Sequence, residues 1–300
     1  MKVLLCGDFT ESERGDWLQA LSAAMPEAQW LDLEAARQEP ASVMAAVVAN
    51  PPPGSLLGLP ALRLIQSLWA GVDRLMADPT LPAEVPVARM VDPAMNAAMA
   101  QTALWAVLSL HRGFFAYARR QREARWLQHT QRRADEVRVL VLGQGQMGLT
   151  AAQCIEQQGY AVSTWRRDGA PLQPLLATAD IVINLLPLTK VTRGLLNQDF
   201  FAALPPKASV VNLARGAHVV DEHLLAALDS GHLRHAVLDV FHVEPLPVDH
   251  PYWRHPRVTV LPHAAASTDA RSAAAVAVAN LRAARGGGDL MHRVERGRGY

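Results

Sequence analysis

Arg138-Val139-Leu140-Val141-Leu142-Gly143-Gln144-Gly145-Gln146-Met147-Gly148 is the stretch that decides the fold. An apolar run leads into three glycines spaced G-x-G-x-x-G, and helical spacing continues over Leu149–Gln158. Glycine triplets arise by chance, so the flanking strand and helix carry the reading. The first glycine permits a tight turn. The second lets a pyrophosphate approach the backbone, and the third lets helix and strand pack closely. The helix N-terminus then offers free N–H groups and a favourable dipole to an anion. Gly143, Gly145, Gln146, Met147 and Gly148 are therefore candidate dinucleotide-binding residues.

The next apolar strand, Ala161–Trp165, ends at Arg166-Arg167. A carboxylate at that place would accept hydrogen bonds from a ribose 2′-OH. Two guanidinium groups instead suit a 2′-phosphate. The expectation is NADP(H), with NAD(H) used less well; an inward-turned Asp168 would give dual use. Trp165, Leu186, Pro187, Leu213 and Ala214, at or just beyond strand ends, complete the expected cofactor contacts.

Outward from this unit the pattern repeats. Ile181–Leu185, Ser209–Leu213, Ala236–Phe241 and Val258–Leu261 read as strands, and Asp221–Asp229, closed by Gly231, as a helix. Upstream, Lys2–Cys6, Ala46–Ala49, Leu62–Leu68 and Val85–Ala88 are short apolar runs, with an amphipathic stretch over Trp17–Met25. Buried strands alternating with helices indicate an α/β chain with parallel sheets. A helical pattern over Pro93–Trp126 is long enough to pass from one domain to another, and a last helix spans about Asp269–Arg285. The predicted architecture is two doubly wound parallel-sheet domains. Residues 1–97 plus 267–300 form a flavodoxin-like substrate domain, and residues 98–266 an inserted Rossmann cofactor domain.

Bulk properties narrow the function. A formal net charge of +1 argues against a nucleic-acid partner. The six arginines of Arg119–Arg133 read as a solvated helix face. No apolar stretch approaches the roughly 20 residues of a membrane span, and no signal peptide is evident, so a cytoplasmic protein is expected. Cys6 and Cys154 read as buried thiols. His232, His235, His242, His250 and His255 read as surface or loop residues. Without H-E-x-x-H or a cysteine pair, no metal site is expected.

Three chemistry-bearing residues follow separate strands: Arg215, Glu244 and His263. Ligands of open α/β sheets bind at the carboxyl ends of strands. Any one of the three is commonly structural, and it is their conjunction that suggests catalysis. A cation to hold a carboxylate, an acid to protonate a carbonyl and a carboxylate to keep that acid charged are the needs of 2-keto acid reduction.

The segments LVLGQGQMG, INLLPLT, VVNLARGAHVVDEHLLAAL, LDVFHVEPLP and HPRVTVLPHAAAST resemble the D-2-hydroxyacid dehydrogenases, and within them the glyoxylate/hydroxypyruvate reductase A branch. The likeness runs from Ser67–Asp73 to the tail Arg298-Gly299-Tyr300. It implies that His263 is the general acid/base, Glu244 its partner, and Arg215 the group that binds the substrate carboxylate. It places the backbone of Ala70, Gly71 and Val72 at that carboxylate. It also places Asp239 near the nicotinamide carboxamide; an equal alternative is a buried carboxylate satisfied by backbone. Trp69 stands where many members have a small residue, so it either narrows the pocket or packs beneath the loop. The implied activity is NADPH-dependent reduction of glyoxylate and hydroxypyruvate by a homodimer. The long helix, with Trp105, Phe114 and Phe115, would supply contact surface, or those rings would fill intramolecular space. Two other readings stand beside it: a reductase of bulkier 2-keto acids such as phenylpyruvate, and a cofactor-sensing protein without chemistry.

Overall fold

A computed structural model describes residues 1–299; Tyr300 of the tail lies outside the described residues. In chain order the elements are β1 (Lys2–Gly7), α1 (Glu11–Ala24), β2 (Gln29–Leu31), α2 (Leu33–Gln38), β3 (Val43–Ala49), β4 (Leu64–Ser67), α3 (Asp73–Met76) and β5 (Val87–Ala88). Then come α4 (Pro93–Arg112), α5 (Phe114–Arg122), β6 (Arg138–Leu142), α6 (Gln146–Glu156), β7 (Ala161–Trp165), α7 (Gln173–Leu176) and β8 (Ile181–Asn184). The chain closes with α8 (Gln198–Ala202), β9 (Ser209–Asn212), α9 (Asp221–Asp229), β10 (His235–Leu238), β11 (Val258–Val260) and α10 (Ala270–Gly286).

Two compact units result, one from Met1–Met95 with the segment from Thr268 onward, the other Asn96–Ser267. The first holds a five-stranded sheet in the order β2-β1-β3-β4-β5, every pairing parallel. That is the flavodoxin-like order. Its helix α1 starts at a capping box in which Thr10 and Glu13 satisfy each other's backbone N–H. On α10, Ala273, Ala274, Ala277, Val278 and Leu281 pack with α1 and the sheet in one core. Asn280 fixes the register of α10, donating to Gln66 Oε1 at 2.7 Å inside that core.

The second unit holds a six-stranded, wholly parallel sheet in the order β11-β10-β9-β8-β6-β7. Strand β6 shows why both faces are buried. Leu140 and Leu142 enter one core, while Val139 and Val141 enter the other with α4 and α6. Alternation of two apolar sets, rather than apolar with polar, is what a sheet covered on both sides requires.

Several expectations change. The Pro93–Trp126 pattern is two helices, because Gly113 adopts φ 73° and breaks the ladder between α4 and α5. An added Cβ there would lie 2.3 Å from the His129 ring, so the break is also sterically fixed. Only the first part of Arg119–Arg133 is helical; beyond Arg122 the arginines lie on exposed, irregular chain, where Arg132 pairs with Asp180 at 2.6 Å. Cys6 is buried, but Cys154 is half-buried. His235 is no surface residue: it is buried on β10, stacked 4.5 Å from Phe115 and hydrogen-bonded to Thr259. Burial, then Arg119 and His255, lower its pKa to about 4. Among the described residues no three His, Cys, Asp or Glu side chains are grouped to hold a metal ion. No described helix is long and apolar enough to cross a membrane.

Candidate active site

The glycine loop shows which of its residues the protein itself requires. Gly143 has φ 120°, and a Cβ there would lie 2.8 Å from Leu185 O. A Cβ on Gly148 would lie 2.0 Å from Gly143 O, so only glycine lets α6 sit against the turn. Gly145 differs: a Cβ added there meets nothing within 4 Å. The protein does not need that glycine for its own packing, and open space over a helix N-terminus is what an approaching pyrophosphate requires. Gly145 caps α6 without any side-chain hydrogen bond to the first turn, leaving those N–H groups to a ligand. Gln146 is exposed in that turn, and Met147 packs partly inward. The donor set therefore fits a dinucleotide.

At the end of β7 the two arginines are exposed, and Arg166 Nε lies 3.4 Å from Asp168 Oδ1. Asp168 is thus turned to solvent beside Arg166 rather than inward. Trp165 departs from its expected role. Its ring is buried in the core, its Nε1 donates to Ala170 O, and its carbonyl accepts the Gly143 N–H. It shapes the loop from behind, and its side chain has no face left for a ligand.

The sequence reading passed over two residues here, Asn184 and Asn212, which end β8 and β9 and are wholly buried. Asn184 Nδ2 donates to Asn212 Oδ1 at 3.0 Å. Asn184 Oδ1 accepts the Leu186 N–H, and Asn212 Oδ1 accepts the Ala214 N–H. Asn212 Nδ2 donates to Arg215 O at 2.9 Å. Buried amides satisfied on both ends fix the loops they join. They hold Leu186, Leu213, Ala214 and Arg215 at the strand ends. Pro187 O accepts from Thr192 Oγ1 and lies 3.3 Å from His218 Nε2. The only signal in the sequence was one polar residue closing each of two apolar runs, IVIN and SVVN.

Arg215 is half-buried and in extended conformation, one guanidinium nitrogen donating to Ala214 O. Gly216 must be glycine because a Cβ would lie 1.9 Å from Phe241 C. That contact seats the Arg215 loop against the segment bearing Glu244. Glu244 Oε1 accepts the Phe241 N–H at 2.8 Å, and Oε2 lies 2.6 Å from His263 Nδ1. The imidazole is about half exposed.

His263 adopts φ 53°, a left-handed conformation that is uncommon outside glycine and costs on the order of 1–3 kcal/mol. Asp239 holds it there. The Asp239 carbonyl accepts the His263 N–H at 2.9 Å, while its carboxylate oxygens accept the N–H groups of Ala264 and Ala265 at 2.8 and 3.0 Å. Burial raises the Asp239 pKa, against the pull of those two bonds. Thr102 on α4 adds an anchor, donating to Ala265 O at 2.8 Å. Both Asp239 oxygens are thus taken by backbone, the second of the two readings the sequence allowed.

In the other unit, the Trp69 carbonyl accepts from Ser67 Oγ and from the Met90 N–H, and its N–H donates to Ser67 Oγ. Its ring is partly buried against the core of that unit. Ala70 and Gly71 are half-buried and Val72 buried, just ahead of α3.

Residues 104–265 match the family model described as D-isomer specific 2-hydroxyacid dehydrogenase, NAD binding domain. Glyoxylate/hydroxypyruvate reductase A of Serratia proteamaculans is 37% identical, over 96% of each chain. The protein of the same name from Yersinia enterocolitica is 34% identical over the full length of both. Among solved structures, a D-isomer specific 2-hydroxyacid dehydrogenase from Xanthobacter autotrophicus Py2, in complex with NADPH and MES, superposes with TM-score 0.93 at 39% identity, covering 100% of this chain and 99% of that one. An NADPH-dependent glyoxylate/hydroxypyruvate reductase from Sinorhizobium meliloti, in complex with NADP and sulfate, gives 0.91 at 31% identity over 100% and 99%. The chain belongs to the D-isomer specific 2-hydroxyacid dehydrogenases, a family of nicotinamide-dependent oxidoreductases.

Proposed function

We propose that this chain reduces small 2-keto acids with NADPH, taking glyoxylate to glycolate and hydroxypyruvate to D-glycerate. The observation that carries the reading is the 2.6 Å contact between His263 and Glu244, in a loop region that Asp239, Thr102 and Gly216 hold in place. The names of the relatives support the substrate class. NADPH, when bound, supplies the hydride. Because Nδ1 faces the carboxylate, the proton that moves is the one on Nε2 of His263, given to the carbonyl oxygen as negative charge develops there. Glu244 holds and orients the imidazole through its 2.6 Å contact with Nδ1, and its own position is fixed through Phe241. Arg215 neutralises the substrate carboxylate and the growing charge on oxygen. The backbone of Ala70, Gly71 and Val72 is assigned to the carboxylate as well. A homodimer belongs to the same proposal: Trp105 and Phe114 on α4 and α5 leave 40% and 54% of their surface exposed, whereas Phe115 packs inward.

The test is kcat/KM for glyoxylate and for phenylpyruvate, each with NADPH and with NADH. The highest value is expected for glyoxylate with NADPH; a preference for phenylpyruvate would replace this reading with the bulkier-substrate one. Arg215→Lys keeps the charge but loses the planar fork. It is expected to lower kcat/KM at least about tenfold, the equivalent of one charge-assisted hydrogen bond; unchanged kinetics would remove Arg215 from the site. Arg166→Ala with Arg167→Ala is expected to lower the NADPH-to-NADH preference about tenfold or more on the same basis. The comparison of KM for the two cofactors reads it, and an unaltered ratio would refute the phosphate assignment.

A further inference from the structure

Among the described residues no histidine is more deeply buried than His218, which has none of its surface exposed, and the chemistry above does not use it. It closes a short 3-10 turn, Gly216–His218, that follows Arg215. Its main chain is fixed on both sides: the N–H donates to Arg215 O at 3.2 Å, and the carbonyl accepts the Leu196 N–H at 2.9 Å. The ring lies between two loops of the same unit. Nδ1 is 3.1 Å from Arg215 O, and Nε2 is 3.3 Å from Pro187 O.

Both neighbours are carbonyl oxygens, which only accept. A neutral imidazole has a single N–H, so one of its nitrogens would turn a lone pair toward an oxygen; the imidazolium donates to both. Burial opposes the charge. Acceptors at both nitrogens favour it, because a buried polar group left without its bond is costly. The two contacts also close a circuit. Asn212 Nδ2 donates to Arg215 O, Asn184 Nδ2 to Asn212 Oδ1, and the Leu186 N–H to Asn184 Oδ1. Pro187 is the next residue, and its carbonyl, which also accepts from Thr192 Oγ1, leads back to His218. The asparagine pair joins the two loops once, where their strands end. His218 joins them a second time, and two attachments fix an orientation that one leaves free to pivot.

We propose that His218 is a positioning residue, held as the imidazolium, that sets the Arg215 loop at a fixed distance from the Leu186–Pro187 loop. The inference rests on the reading above, in which Arg215 takes the substrate carboxylate and Leu186 and Pro187 contact the cofactor. The wholly buried ring touches neither ligand. It governs how keto acid and nicotinamide are presented to each other, where a displacement of about 1 Å costs on the order of 10²-fold in rate.

Nitrogen-15 NMR of the unaltered protein at neutral pH tests the charge without turnover. Of the described histidines only His218 and His235 are buried. His235 is neutral there, since burial, then Arg119 and His255, lower its pKa to about 4. One ring with two slowly exchanging N–H protons is expected; if every slowly exchanging ring carries a single N–H, the assignment falls. Two variants separate the ties. Glutamine places its amide N–H near the position of Nε2 and keeps a donor for Pro187, whereas asparagine places its own near Nδ1 and keeps a donor for Arg215. With glyoxylate and NADPH, His218→Gln is expected to raise KM for glyoxylate about tenfold and KM for NADPH less than about threefold, as for loss of one charge-assisted bond. His218→Asn should do the reverse, and His218→Leu should raise both and lower kcat on the order of 10²-fold. A His218→Leu protein that circular dichroism shows to be folded and that keeps the parental constants, or identical changes in both KM values for the glutamine and asparagine variants, would overturn the positioning role. Absence of any keto-acid reduction by the unaltered protein, with both N–H protons present, would instead overturn the function on which the inference rests.

Discussion

Replacing His263 with alanine is expected to lower kcat by roughly 10²- to 10⁴-fold, the range for loss of a positioned proton donor, while NADPH binding stays nearly intact. The contact that predicts this is the 2.6 Å pair with Glu244, whose other oxygen is tied to Phe241 N. His263→Asn is the sharper variant. The position has φ 53°, and asparagine tolerates the left-handed region far better than alanine. Loss of turnover in the asparagine variant therefore reports chemistry rather than relaxation of the backbone. Glu244→Gln should cost less than either. The double variant should be no worse than the His263 variant alone, because residues that act as a unit are not additive. Stopped-flow and steady-state rates with glyoxylate, with cofactor fluorescence titration beside them, decide the matter. A cofactor affinity that falls in step with kcat would contradict the assigned role.

The second large effect separates two glycines that look alike in the motif. Gly148→Ala places a methyl 2.0 Å from Gly143 O, a backbone atom that cannot rotate away. The helix α6 must then lift from the turn after β6, with an expected loss of about 3 kcal/mol or more of stability, the upper end of overpacking costs. Gly145→Ala places its methyl in open space, on a backbone at φ −76° that any residue adopts. Its stability without cofactor should be unchanged, while NADPH binds at least about tenfold more weakly because the methyl occupies the approach of the pyrophosphate. Thermal unfolding without cofactor and a binding titration read both effects. A Gly145→Ala protein that binds NADPH normally would mean that the dinucleotide does not lie on this turn.

Much of the fold was legible in β6 to α6, since a strand, three spaced glycines and a helix admit few arrangements. Boundaries were less so, for a reason tied to function. The apolar runs Ile181–Leu185, Ser209–Leu213, Ala236–Phe241 and Val258–Leu261 each continue one to three residues beyond the ladder. Those trailing residues bend away from the sheet to carry the site, and hydrophobicity does not register where a strand stops pairing. The three-residue β2 was too short to show a period. The break at Gly113 depends on the His129 ring, sixteen positions away, which no local pattern contains. The chemical residues were found because Arg, Glu and His are conspicuous after apolar strands. Asn184 and Asn212 were not, because their work is hydrogen bonding to each other and to backbone atoms that only the folded chain brings near.

The most direct test of the account is the rate at which nicotinamide absorbance falls when the purified chain is mixed with NADPH and then with glyoxylate. The account predicts rapid, saturable oxidation that begins only when the keto acid is added and that His263→Asn slows by roughly 10²- to 10⁴-fold. Oxidation that ignores the keto acid, or a His263→Asn protein as fast as its parent, would contradict it.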